Sequence, residues 1–279
     1  MDKKGWMMLR VLINRYNPKA GEGLLKFLPR DEAQTLISHE IQSSEIEPIL
    51  YQPQKILERL HYSWIKPLLK KFPKSMHSIV AGALTKEQAA GLTSSAPIKL
   101  SPPVKTFFVR QLYSLLAEEE RLPYDYLPET DMSPLGTWKK RKLTMLFDFL
   151  GLHDLASEVR HIVNKKHLKN IYASLSPKQL YYLNVCLHQK EGITGPKLRI
   201  DPTNEDPSLV KNAIHRRGLM RFGKALCGQH PDFVWYIAHT LDTGRGEMVL
   251  KAYKPDSEPQ VTLLLKNQVL NLMNFLKSE

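Results

Sequence analysis

At 279 residues, 42% of them hydrophobic, the chain can bury one large core or two smaller ones, and two or three helical subdomains are expected. Its 40 Lys and Arg against 28 Asp and Glu leave a net charge of +12, which suits an acidic surface, an acidic partner or nucleic acid without choosing among them. Cys186 and Cys227, the two cysteines, are too few for a disulfide framework and point to a reducing cytoplasm; no uncharged apolar run approaches the roughly 20 residues of a membrane span, so a soluble protein is expected.

From the N-terminus, the apolar stretch 6–13 is interrupted by Arg10 and followed by Arg15 instead of a small-residue cleavage site, which argues against a secretory signal. A helical domain over 1–92 holds short helices at 31–41, 54–60, 64–72 and 86–92, punctuated by Pro48, Pro53, Pro67 and Pro73, since proline breaks a helix interior. A proline-rich connector over 93–137 carries one amphipathic helix, 104–120, with Phe107, Phe108, Leu112, Leu115 and Leu116 toward a core.

The middle helical domain, 138–191, is the most periodic part of the chain. Leu143, Leu146, Phe147 and Leu150 share one face and Leu155, Val159, Ile162 and Val163 the next, with Gly151 expected as the stop between two helices. A polar linker over 192–207 contains Pro196, Pro202 and Pro207 and a weak strand-like alternation at 197–200. The C-terminal helical domain, 208–279, has helices at 208–227, 231–241 and 260–277, the last with Val261, Leu265, Val269, Leu272 and Leu276 on a stripe.

A leucine, a helix-start residue, a Glu or Gln three positions on and a further leucine recur three times: Leu28, Pro29, Glu32, Leu36; Leu84, Thr85, Gln88, Leu92; Leu175, Ser176, Gln179, Leu183. In the last two, hydroxyl and amide satisfy each other's backbone N–H, a capping box. Pro29 suits a first helical turn instead. The uneven spacing of the copies argues against a regular solenoid. The expected fold is all-α, an irregular stack of short helical hairpins, armadillo-like in its general form.

Several motifs carry the letters of chemistry. Gly218 to Lys224 has the spacing of a phosphate-binding loop, yet Ala225 stands where Ser or Thr would hold magnesium, and the flanks read as helix where the motif needs a strand. Leu241-Asp242-Thr243-Gly244 matches an aspartic-protease loop in a single copy, whereas that chemistry needs two carboxylates sharing a proton; Asp242 reads better as the cap of a helix starting near Arg245. Among the histidines, His161 and His167 are six apart and Cys186 and His188 two apart, spacings that do not ligate on one helix; Cys227 and His230 stay open as a pair. Lys139, Lys140, Arg141 and Lys142 sit at a helix start, where cations oppose the macrodipole, which mildly favours a contact role. No catalytic residue, cofactor or metal ligand is expected.

The segment Leu24-Leu25-Lys26-Phe27-Leu28-Pro29-Arg30-Asp31-Glu32-Ala33 is similar to the opening of repeats in FliG, the flagellar motor-switch protein. The helices around Leu143–Leu150 and Leu155–Leu168, closed by Leu175-Ser176-Pro177-Lys178-Gln179, resemble the FliG middle domain in their order. Residues 60–69 and 218–246 look like FliG-like subunits of type III secretion systems of obligate intracellular bacteria, nearest the cytosolic accessory subunit of the SctK type. The Gly-Gly-Pro-Gly hinge is missing, Phe147-Asp148-Phe149 stands where FliG would carry Phe-Glu-Asp, and 260–277 has only Lys266 and Lys277 as charges.

The resemblance therefore implies a non-enzymatic scaffold and not a rotary part. It would be cytoplasmic, or peripheral at the inner membrane through a complex, linking a membrane-ring protein to sorting-platform proteins. Lys139, Lys140, Arg141, Lys142, Arg216, Arg217, Leu265, Leu272 and Leu276 are the expected partner contacts. A basic helical nucleic-acid-binding protein is the alternative, to be judged by whether the clusters at Lys139, Arg160 and Arg216 form one face.

Overall fold

The computed structural model describes residues 5, 6, 9, 10, 13, 23, 25–38, 53–93, 96–117, 121–189, 193, 198, 206–254 and 259–277. The fold is all-α, with no strand among the described residues; the alternation at 197–200 lies, but for Leu198, outside them. Two compact units divide the chain, Met1–Pro128 and Glu129–Glu279.

The first unit contains α1 (Arg30–Ser38), α2 (Pro53–Glu58), α3 (Tyr62–Leu69), α4 (His77–Gly82), α5 (Lys86–Leu92) and α6 (Pro102–Leu116). Local chemistry explains their brevity. The Pro29 carbonyl accepts from Ala33 at the start of α1; Pro67 sits two residues before the end of α3, where its missing N–H and its ring limit the helix. Leu57, Ile65, Val80 and Leu112 are buried at the centre. The expected capping box at Thr85 is present, and Gln88 does more than cap. Its Oε1 accepts from the Thr85 N–H at 3.1 Å, and its Nε2 donates to the carbonyls of Leu57 (2.6 Å) and Leu60 (2.8 Å). One buried amide thus ties the N-terminus of α5 to the C-terminal end of α2 and the turn after it, donating to the Leu60 carbonyl and adding a second donor to that of Leu57, which also accepts from the Leu60 N–H.

The second unit contains α7 (Lys140–Val159), α8 (Lys165–Ala173), α9 (Pro177–His188), α10 (Pro207–Ala225), α11 (Pro231–Thr240), α12 (Thr243–Ala252) and α13 (Pro259–Lys277). The two helices expected to meet at Gly151 are one continuous helix of 20 residues, α7. Gly151 is buried, and a methyl group there would collide with the backbone carbonyl of Ile214 on α10. Reciprocally, a methyl on Gly218 of α10 would strike the carbonyl of Phe147. The glycine marks a close helix crossing, not a stop. Gly223 repeats the device against α12, where a Cβ would lie 2.6 Å from both Ala252 Cβ and the Val249 oxygen. Residues from either side of the 192–207 segment therefore share one core.

The stripe on α13 belongs to that core. Leu265, Leu272 and Leu276 are 1%, 0% and 3% exposed, packed where no partner reaches them, so their reading as partner contacts is corrected. Leu263 and Leu264 are the exposed apolar residues of this helix.

Candidate functional site

The charged residues that the sequence places near α7 and α10 assemble into two clusters in the second unit. The inner one centres on Asp154, which falls on the buried face of α7 among Leu150, Leu152 and Leu155. Arg221 donates from Nε (3.1 Å) and Nη2 (2.5 Å) to Asp154 Oδ1 and from Nη1 to Gln268 Oε1 of α13 (2.9 Å). Arg217, one turn earlier, lies 3.6 Å from Asp154 Oδ2. A buried carboxylate held by two guanidinium groups joins α7, α10 and α13; such groups are retained only where each is paired.

The outer cluster is a chain of five side chains from three helices. Lys140 Nζ lies 3.1 Å from Asp242 Oδ2, and Arg245 Nη1 donates to the same oxygen at 2.5 Å. Arg245 Nε donates to His215 Nε2 (2.8 Å), and His215 Nδ1 is 2.6 Å from Asp148 Oδ1. Asp242 is the cap of α12, accepting from the Arg245 N–H. Partial burial raises the pKa of Asp242, but the hydrogen bonds from Arg245 and Lys140 outweigh it and bring the carboxyl down to about 2. Gly244 supplies no protease loop; it sits in the first turn of α12. Likewise Gly218 to Lys224 lies inside α10 and its glycines serve helix packing.

A third polar group is buried between α7 and α9. His153 Nε2 is 3.1 Å from Tyr182 Oη, and Cys186 Sγ is 3.8 Å from His153 Nδ1. Cys227 and His230 do not converge: the Cys227 sulfur accepts from the Lys254 N–H, whereas the His230 ring caps α11 through the Asp232 N–H. Gly228, at φ +80°, makes the turn between them. Among the described residues no three His, Cys, Asp or Glu side chains are grouped to hold a metal ion, and no helix is long and apolar enough to cross a membrane.

The expected contact residues separate into several groups. Lys139, Arg141 and Arg216 are exposed. Lys140 pairs with Asp242, Arg217 with Asp154, and the Lys142 ammonium stands 4.3 Å over the Trp138 ring. Arg160, from the second basic cluster, turns its Nη2 onto the carbonyls of Cys186 (3.1 Å), Leu187 (3.0 Å) and Gln189 (2.5 Å), closing the C-terminus of α9. The roles of Asp148, Asp154, His215, Arg221 and Arg245 escaped the sequence reading. Asp154 carried a signal nonetheless, an acid seven residues after Phe147 on an otherwise apolar face. Chemically, these clusters clamp helices, while Lys139, Arg141, Lys165, Lys166, Lys169, Arg216 and Lys224 stay exposed. No protein-family model matches the chain, and neither a curated protein nor a solved structure matches it significantly.

Proposed function

We propose that the chain is a non-enzymatic helical adaptor of the cytoplasmic platform of a type III secretion apparatus, linking a membrane-ring protein to other cytosolic components. The observation that carries the non-enzymatic part is where the catalytic-looking letters are spent. Asp242 caps α12, Gly218 and Gly223 pack helices, and His230 caps α11. The secretion assignment rests on the FliG-like and SctK-like segments at 24–33, 143–179, 60–69 and 218–246. Lys139, Arg141 and Arg216, exposed on the second unit, supply cations for acidic partner surfaces.

Isolation of a tagged copy from cells tests this reading. Recovery of ring or platform proteins of the secretion apparatus supports it, and recovery of no secretion or flagellar component overturns it.

The net charge favours a second reading, a nucleic-acid-binding protein. Against it stands the internal use of Arg217 and Arg221 on Asp154, although Lys139, Arg141, Lys165, Lys166, Lys169, Arg216 and Lys224 stay exposed. Counterion release makes the discriminating test simple: a nucleic-acid binder shifts DNA or RNA at about 50 mM salt and loses it steeply as salt rises.

A further inference from the structure

We propose that His215 is the proton-sensitive element of a latch between α10 and α12, which is closed only while its imidazole is neutral. The argument is donor and acceptor arithmetic. Arginine keeps its protons at any physiological pH, so Arg245 Nε can only donate. Its 2.8 Å contact with His215 Nε2 therefore requires a lone pair on that nitrogen. The one ring proton must then sit on Nδ1, where it meets Asp148 Oδ1 at 2.6 Å. The structure assigns a single tautomer, neutral and Nδ1-protonated.

A second proton can enter only at Nε2. It would point at the Arg245 N–H and set two cations against each other. Asp148 of α7 would hold the resulting imidazolium, and Asp242 would hold the displaced Arg245, so both products of opening already have acidic partners. Lys140 of α7 adds a further charge to this cluster, on Asp242, and Lys211, one turn before His215 on α10, is an exposed cation. From α7 the Phe147 ring meets the imidazole edge-on at 6.1 Å. Among the described residues, α8 and α13, which also pack on α10, bring no charged group into contact with His215. The closed latch binds one proton fewer than the open one, so acidification favours opening. His215, Asp148, Arg245 and Asp242 are all partly accessible to solvent, which gives protons access without unfolding.

Imidazole nitrogen NMR on the full chain tests the tautomer directly, with amide exchange of α12 followed between about pH 8 and about pH 5, the range where histidine ordinarily titrates. The expected result is Nδ1–H with a bare Nε2 at the upper end, and a fall in the protection of α12 amides of about tenfold on acidification. His215→Phe keeps a ring against Phe147 and should remove that pH dependence; Arg245→Met should start in the less protected state at neutral pH. An Nε2–H tautomer in the unsubstituted protein overturns the proposal, as does α12 protection that is the same at both ends of the range.

Discussion

Gly218 has no room for a side chain because the carbonyl of Phe147 occupies the space where a Cβ would stand. Gly151 meets Ile214 in the same way from the opposite helix. The crossing of α7 and α10 is set by backbone against backbone, so neither contact can be relieved by a rotamer change. Gly218→Ala should destabilise the second unit by about 3 kcal/mol, at the upper end of ordinary overpacking. Denaturant unfolding measures it, with Gly244→Ala as the comparison. A methyl on Gly244, an exposed residue in the first turn of α12, would meet only Asp242 Oδ1 at 3.7 Å, and should stabilise by about 0.5 kcal/mol through helix propensity.

Gln88 and Gln179 occupy the same position in two copies of one sequence signature and should respond differently to substitution. Gln179 closes its capping box on a surface turn, with Oε1 accepting from the Ser176 N–H at 2.9 Å. Gln88 closes its box while buried, with two carbonyls of another segment on its Nε2. Gln88→Leu takes the side-chain donor from the Leu60 carbonyl and one of two donors from Leu57, leaves the Thr85 N–H without its acceptor, and should cost about 3 kcal/mol, whereas Gln179→Leu should cost about 1 kcal/mol. Equal losses in thermal unfolding would contradict the bridging role of Gln88.

These two glutamines show what was legible in the sequence. Capping boxes are local, written in four consecutive residues, and both appear where the letters place them. The apolar stripe of α13 is equally local as a pattern, but a pattern cannot say whether its face meets the rest of the chain or a partner. Leu265, Leu272 and Leu276 meet the rest of the chain. Gly151 was misread because a lone glycine in a helix is a local weakness, and what compensates it, the Ile214 carbonyl, lies 63 positions away. The pairing of Asp154 with Arg221 is long-range in the same sense: Asp154 stands out as an acid on an apolar face, but nothing local names Arg221, 67 positions on, as its partner.

Asp154 is the residue whose loss the second unit should tolerate least among its acids. Asp154→Leu leaves Arg221, itself 5% exposed, without its carboxylate and should destabilise by about 4 kcal/mol. Replacing both partners, Asp154→Leu with Arg221→Met, removes the stranded charge along with the pair. The double variant should therefore be more stable than Asp154→Leu alone, although Arg217 keeps part of the penalty in place. A double-mutant cycle in chemical denaturation checks the sign of the coupling; strict additivity would mean the ion pair contributes nothing.

Asp242 links the electrostatics of this unit to acid stability. Its carboxyl titrates near 2 in the folded protein against 3.8 for an ordinary aspartate, so the unfolded chain takes up its proton first as pH falls. A group depressed in this way adds stability that is fully present above about pH 4 and is lost as the solution is acidified toward pH 2. The carboxylate is partly open to solvent, its side chain about a quarter exposed, so screening reduces the effect below what the shift alone suggests. Asp242→Asn isolates the charge, because an asparagine side chain still caps α12 by accepting from the Arg245 N–H. The variant should be less stable than the parent at neutral pH, and the gap between their unfolding free energies should narrow between about pH 4 and about pH 2. Added salt should shrink the neutral-pH gap as well, since Lys140 and Arg245 hold Asp242 at a partly exposed site. A gap that stays constant across that acid range would show that Asp242 acts on α12 only as a cap.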